Sequence, residues 1–135
     1  MSGDDPAQNR NILKENNITH ILNVTTNVEN KFESELVYKN IKIYDLPSTD
    51  LKSHFSDSFE FIDNAIKNSV NNNVLVHCNV GVSRSASLVI AFLLQKRIFI
   101  NYKSAYNYVK ERRPKIMPND GFVKQLIELE TKLNE

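Results

Sequence analysis

One cysteine, Cys78, stands in 135 residues. A lone cysteine excludes an intrachain disulfide and fits a reducing compartment, the cytoplasm or the nucleus. It also leaves no second thiol to serve as resolving partner in a redox or sulfur-transfer centre. Long apolar runs are missing too. The longest, Leu88 to Leu94, has seven residues, against the roughly 20 that a membrane-crossing helix needs. The opening Met1-Ser2-Gly3-Asp4-Asp5 is acidic and polar with no leader-like apolar run behind it. Neither the serine at position 2 nor the closing Lys132-Leu133-Asn134-Glu135 matches a lipid-attachment signal. No membrane association is therefore expected. Charge of one sign is scarce: 17 basic residues against 16 acidic ones give a net +1, without the basic excess of a nucleic-acid binder. Three scattered histidines and one cysteine offer no metal-ligand spacing. No lysine follows Gly81 as a nucleotide-binding loop requires. Neither a metal nor another cofactor is expected.

What is present reads as one α/β domain over residues 1–135, with no repeat, linker or low-complexity tract. Asn9 to Asn16 has the pattern of a short helix with Ile12 and Leu13 inward. Ile18 to Val24 and Val37 to Ile43 read as strands. Phe55, Phe59, Ile62, Ile66 and Val70 keep near-helical spacing, which predicts an amphipathic helix over Ser56 to Val70. Val74-Leu75-Val76 follows as a short apolar strand. Ser85 to Lys96 is apolar on almost every side, the mark of a central buried helix. Another helix, Tyr102 to Arg113, is stopped by Pro114. A last one, capped at Pro118-Asn119, carries Phe122, Leu126, Leu129 and Leu133. Strands alternating with helices predict a mostly parallel central sheet flanked by helices.

The informative stretch runs His77-Cys78-Asn79-Val80-Gly81-Val82-Ser83-Arg84-Ser85, between an apolar strand and an apolar helix. Loops at the carboxyl ends of such strands are where α/β sheets bind ligands. Five residues separate Cys78 from Arg84, enough for a tight loop around one small anion. The backbone N–H groups of Asn79, Val80, Gly81, Val82 and Ser83 can converge there, and the following helix aims its positive end at the same point. Gly81 permits a turn closed to residues with a Cβ. Arg84 can grip two phosphate oxygens with its planar fork. The same field favours a Cys78 thiolate, a nucleophile able to attack phosphorus and form a cysteinyl-phosphate that water later hydrolyses. Bland alternatives are a buried structural cysteine and a helix-start arginine.

This segment resembles the signature loop of the dual-specificity protein phosphatases, within the protein tyrosine phosphatase superfamily. Ile18 to Val24, Tyr44-Asp45-Leu46, the stretch Phe59 to Asp63, Arg112-Arg113-Pro114 and Pro118 to Phe122 also resemble that family in order and spacing. The resemblance runs from about Asp5 to Leu133. It implies a protein tyrosine phosphatase-like fold and phosphorylated protein substrates. It also implies that a first edge strand is missing here, that Val80 stands where the family often has alanine, and that Asn79 is an uncommon neighbour of the cysteine.

A departing alkoxide or phenoxide needs a proton, so a general acid is required. Asp45 and Asp50 lie on the same loop; the resemblance favours Asp45. Asp57 and Asp63 read as helix-start and helix-surface charges. The resemblance gives Ser85 a hydroxyl that bonds the thiolate and helps it leave, with capping of the central helix as its other reading. His77 is expected beside the loop, orienting it. Asn119 either buttresses the loop region or simply caps the last helix. A pocket serving phosphotyrosine and the shorter phosphoserine must be shallow. Only 77 residues precede Cys78, little room for the loops that deepen tyrosine-specific pockets. The loop carries no lysine of the kind that phosphoinositide-directed relatives use. A phosphate-binding scaffold without activity, or a phosphatase of RNA ends, glucans or phosphoinositides, is the alternative. Nothing in the pattern specifies an oligomer.

Overall fold

The computed structural model describes residues 1–135. Three strands, β1 (His20–Asn23), β2 (Val37–Asn40) and β3 (Val74–His77), form a wholly parallel sheet in the order β2-β1-β3. Register places His20 opposite Val37 on one side and Val74 on the other. Ser2 adds one further parallel bridge, to His77 on the free edge of β3.

Alternation along the strands sorts their side chains into two cores. Leu22 and Val76 face a large core with α3 (Phe55–Asn68), α4 (Arg84–Gln95), α5 (Tyr102–Arg112) and α6 (Asp120–Leu133). Ile21 and Leu75 face the opposite way, into a small core with Ala7, Leu13 and Phe32. Ala7 and Leu13 come from two short helices, α1 (Asp4–Ala7) and α2 (Arg10–Glu15). At the centre, α4 buries Ala86, Leu88, Ile90, Ala91, Phe92, Leu93 and Leu94. Each fully buried Leu or Ile contributes about 1.5–3 kcal/mol, so the helix that follows the signature loop is the most firmly held element. A rigid α4 fixes the loop's exit.

The expected elements are all present, with differences at their edges. Helix α1 had no counterpart in the pattern. Ile12 is half-exposed, not inward; Leu13 alone of the pair is buried. A 3₁₀ turn, Lys52–His54, leads into α3, and α3 stops at Asn68 because Ser69 is extended. Val70 therefore lies beyond the helix and is 98% exposed. Asp63 is not a surface charge. It is buried and paired with Lys67 at 2.8 Å and Lys96 at 2.6 Å. Hydrogen bonds from Lys67 and then Lys96 hold its carboxyl below the usual range, and this tie between α3 and the end of α4 weakens as pH falls through that lowered value.

Candidate active site

Hydrogen bonding around residues 78–85 follows from peptide geometry. In a planar trans peptide the C=O and the next N–H point in opposite directions. The carbonyls of five successive residues are all bonded on the outside of the loop. Asn79 O accepts from the Asp4 N–H at 3.1 Å, and Val82 O from the Met117 N–H at 2.8 Å. Val80 O and Gly81 O accept from the Arg113 guanidinium at 3.0 and 2.8 Å. Ser83 O accepts from the Ser87 N–H and hydroxyl. The N–H groups that follow these carbonyls must point the other way. Of them, the Gly81 N–H donates to Cys78 Sγ at 3.1 Å, while those of Val80, Val82, Ser83 and Arg84 have no protein acceptor. Four amides facing inward without acceptors form a nest for an anion.

Gly81 turns the loop at φ 76°, and a Cβ there would lie 2.5 Å from Ser2 C and 2.7 Å from Arg113 Nη2. Only glycine satisfies both the backbone and the space. The floor of the nest is Cys78, a buried free thiol. Its sulfur lies 3.3 Å from Ser85 Oγ. Burial is the largest single influence on this thiol and pushes it up, yet it is outweighed. The Ser85 hydroxyl and N–H, the Gly81 N–H and the Arg84 charge together bring it below the ordinary thiol value.

Arg84 closes the ring. Its Nη1 donates to Ile43 O at 3.0 Å and its Nη2 to Asn79 Oδ1 at 2.8 Å. Nε is buried and has no partner. A buried donor left unsatisfied costs about 1–3 kcal/mol, and an oxyanion within reach of Nε would remove that cost.

Asp45 sits two residues beyond Ile43, the residue whose carbonyl holds Arg84, and Asp45 Oδ1 accepts from Asn119 Nδ2 at 2.9 Å. Asn119 does both things the sequence left open. Its Oδ1 caps α6 by accepting the Phe122 N–H, its Nδ2 holds Asp45, and its own N–H donates to Ser83 Oγ at 3.0 Å. One residue thus ties the loop carrying Asp45 to the signature loop. Asp50 is occupied elsewhere: its Oδ1 accepts the Ser53 N–H at the 3₁₀ turn. Ser85 does not cap α4. Ser83 holds the cap position, without a side-chain cap bond, and Ser85 turns its hydroxyl to the sulfur. His77 is buried beneath the loop with Nδ1 3.4 Å from Cys78 O. Burial lowers its pKa.

Residues 2–132 match the family described as "Dual specificity phosphatase, catalytic domain". The chain belongs to the dual specificity phosphatase family. Among curated relatives, mouse dual specificity protein phosphatase 19 is 46% identical over 127 residues, covering 93% of this chain and 56% of that protein. Human protein phosphatase Slingshot homolog 1 is 43% identical over 124 residues, covering 92% of this chain and 12% of its own length. The chain thus spans little more than half of one relative and a small part of the other. Crystal structures agree on the fold. Human DUSP28 superposes with a TM-score of 0.92 at 25% identity, covering 99% of this chain and 92% of that one. A human tyrosine phosphatase-like serine/threonine/tyrosine-interacting protein does so at 0.88 and 33%, covering 98% and 91%. A fold shared by proteins called phosphatases and by one called an interacting protein does not decide activity, so the site must.

Two further residues shape the site without a local sequence signal. Arg113, a C-terminal neighbour of α5, clamps two loop carbonyls; the adjoining Arg112 instead stacks on Tyr108 at 3.5 Å. Gly121 lets the loop carrying Asp45 lie on α6: a Cβ there would overlap Pro47 O. Gly121→Ala should push residues 44–47 away and cost roughly 10²-fold in turnover, the scale of a small misplacement of a reacting group. Inhibition by vanadate, which needs only the Cys78 loop, should change little. Measuring kcat and the vanadate constant side by side checks this.

Proposed function

We propose that this chain is a protein phosphatase acting on phosphotyrosine and on phosphoserine or phosphothreonine through a cysteinyl-phosphate. The observation that carries the reading is the nest itself: inward amides without acceptors around a sulfur held by Ser85 and Gly81, closed by an Arg84 whose Nε is unpartnered. A phosphoryl group in the nest would receive donors from Val80, Val82, Ser83 and Arg84 on its equatorial oxygens. Those donors match the charge that spreads over these oxygens in the transition state.

The Cys78 sulfur lone pair attacks phosphorus, and the bond from phosphorus to the substrate oxygen breaks with its electron pair leaving on that oxygen. The oxygen takes a proton from Asp45 and departs as a hydroxyl. Water then attacks the cysteinyl-phosphate and gives a proton to the Asp45 carboxylate. The sulfur leaves as a thiolate, which the Ser85 hydroxyl stabilises by donating to it. Orthophosphate is released and the enzyme returns to its starting charge. A nucleophile of this kind works only while reduced, which fits the cytoplasm or nucleus.

Support for dual specificity comes from the loops that rim the nest, which are short and exposed at Tyr44, Leu46, Val80 and Met117. Such a low rim suits the shorter phosphoserine as well as phosphotyrosine. A panel of one peptide phosphorylated on tyrosine, serine or threonine, with a phosphoinositide control, tests the substrate class. Release of phosphate from tyrosine and from at least one hydroxyl amino acid is expected. Release from the phosphoinositide alone would overturn it.

A further inference from the structure

The loop lines the nest with backbone amides, but the side chain of Asn79 does something separate. Arginine only donates hydrogen bonds, so the Asn79 atom 2.8 Å from Arg84 Nη2 is its amide oxygen. Asn79 Nδ2 is thereby turned outward and donates to Asn27 Oδ1 at 3.1 Å. Asn27 lies in the β1–β2 connection, which is organised from within. Asn23 Oδ1 accepts from the N–H and hydroxyl of Thr25, Thr25 Oγ1 accepts from the Val28 N–H, and Asn23 Nδ2 donates to Val28 O. A continuous line of side-chain hydrogen bonds therefore runs from Arg84 through Asn79 to a loop on another strand.

The guanidinium gains its orientation from this line. Nη1 is held by a backbone carbonyl and Nη2 by Asn79, while Nε is buried and unpartnered. Two fixed corners of a planar group determine the direction of the third. Both acceptors are neutral, so the full positive charge is kept for an incoming anion; a carboxylate in the same place would hold the fork equally well and cancel part of its field.

We infer that Asn79 is a positioning residue for the phosphatase site: its neutral amide oxygen aims Arg84 Nε at the phosphoryl group, and Asn27 steadies Asn79 from the β1–β2 connection. The inference rests on the phosphatase reading and refines its anion clamp. It gives this chain a specific use for a side chain that the signature pattern leaves free to vary.

The test compares wild type, Asn79→Ala, Asn79→Asp, Asn27→Ala and the Asn27→Ala/Asn79→Ala double variant. Readouts are p-nitrophenyl phosphate hydrolysis, the vanadate inhibition constant, and the thermal shift given by orthophosphate. Loss of one hydrogen bond to a charged group should raise the vanadate constant about tenfold in Asn79→Ala. Asn79→Asp keeps the shape and the acceptor but adds a negative charge beside the anion, and should raise the constant more than Asn79→Ala does. A purely structural role predicts the reverse order. Asn27→Ala should cost about two- to threefold, and the double variant should be no worse than Asn79→Ala, as coupled residues in one line require. Unchanged vanadate inhibition in Asn79→Ala, an Asn79→Asp milder than Asn79→Ala, or additive effects in the double variant would overturn the inference while an active wild type leaves the phosphatase reading standing. A wild type that neither hydrolyses the substrate nor responds to orthophosphate would end both.

Discussion

Cys78→Ser should abolish hydrolysis, lowering turnover by about 10⁴–10⁶-fold, the range seen when a covalent nucleophile is removed, while leaving phosphate binding intact. The reason is the division of labour in the loop. The outward carbonyls of Asn79 to Ser83, the Arg113 clamp and Arg84 involve no atom of the thiol side chain. The nest should therefore persist with serine at its floor. What disappears is an atom that ionises in the field of that nest: an alkyl hydroxyl holds its proton far more tightly than a thiol, and the same donors that bring the thiol down cannot bring a serine into reach of neutral pH. The expected pair of results is no phosphate release and a retained thermal shift with orthophosphate. Equal hydrolysis by the two proteins would remove Cys78 from the mechanism. Loss of the thermal shift together with activity would show a collapsed loop.

Asp45→Ala is expected to cost about 10²–10⁴ in turnover, the range ordinarily supplied by a positioned acid. The loss should depend on the leaving group. A serine alkoxide is a very poor leaving group and needs its proton during departure, so phosphoserine hydrolysis should fall to the lower end of activity. p-Nitrophenolate is stable without a proton, so its ester should suffer least. The geometry supports Asp45 in this role. Asn119 Nδ2 occupies Oδ1, which leaves the other oxygen to carry and deliver the proton. Asp50→Ala should behave differently, because its carboxylate accepts the Ser53 N–H at the start of the 3₁₀ turn. It should lose some stability and little turnover. The reverse outcome, a large leaving-group-dependent loss in Asp50→Ala and none in Asp45→Ala, would transfer the role.

How much of this was visible in the sequence depended on how local the interaction is. Cys78, Gly81 and Arg84 sit within one short stretch between an apolar strand and an apolar helix, so spacing alone exposed the nest. The central helix was legible because it is apolar on nearly every face. Parallel pairing followed from alternation of strands and helices. Contacts that join distant segments left weaker traces. Arg113 reaches back 32 residues to Gly81, and in the doublet Arg112-Arg113 nothing in the order of residues says which one turns inward. Gly121 matters through Pro47, a packing contact that no local pattern encodes. Asp63 looked like any helix-surface acid because its second partner, Lys96, lies 33 residues on, just past the end of α4. Val70 kept the helical period but fell beyond the last turn, where Ser69 had already broken the backbone. Ser85 and Ser83 stand two residues apart, too close for periodicity to assign one to the cap and the other to the sulfur.

Inward peptide dipoles, the Ser85 hydroxyl and a guanidinium together favour the buried Cys78 sulfur as its anion. The most direct measurement is the rate at which iodoacetamide alkylates Cys78 as a function of pH; as the lone cysteine, it gives a single titration. The expected midpoint lies clearly below the roughly 8.5 of a free cysteine and moves upward in Ser85→Ala. A midpoint at or above that value in the unaltered protein would contradict it.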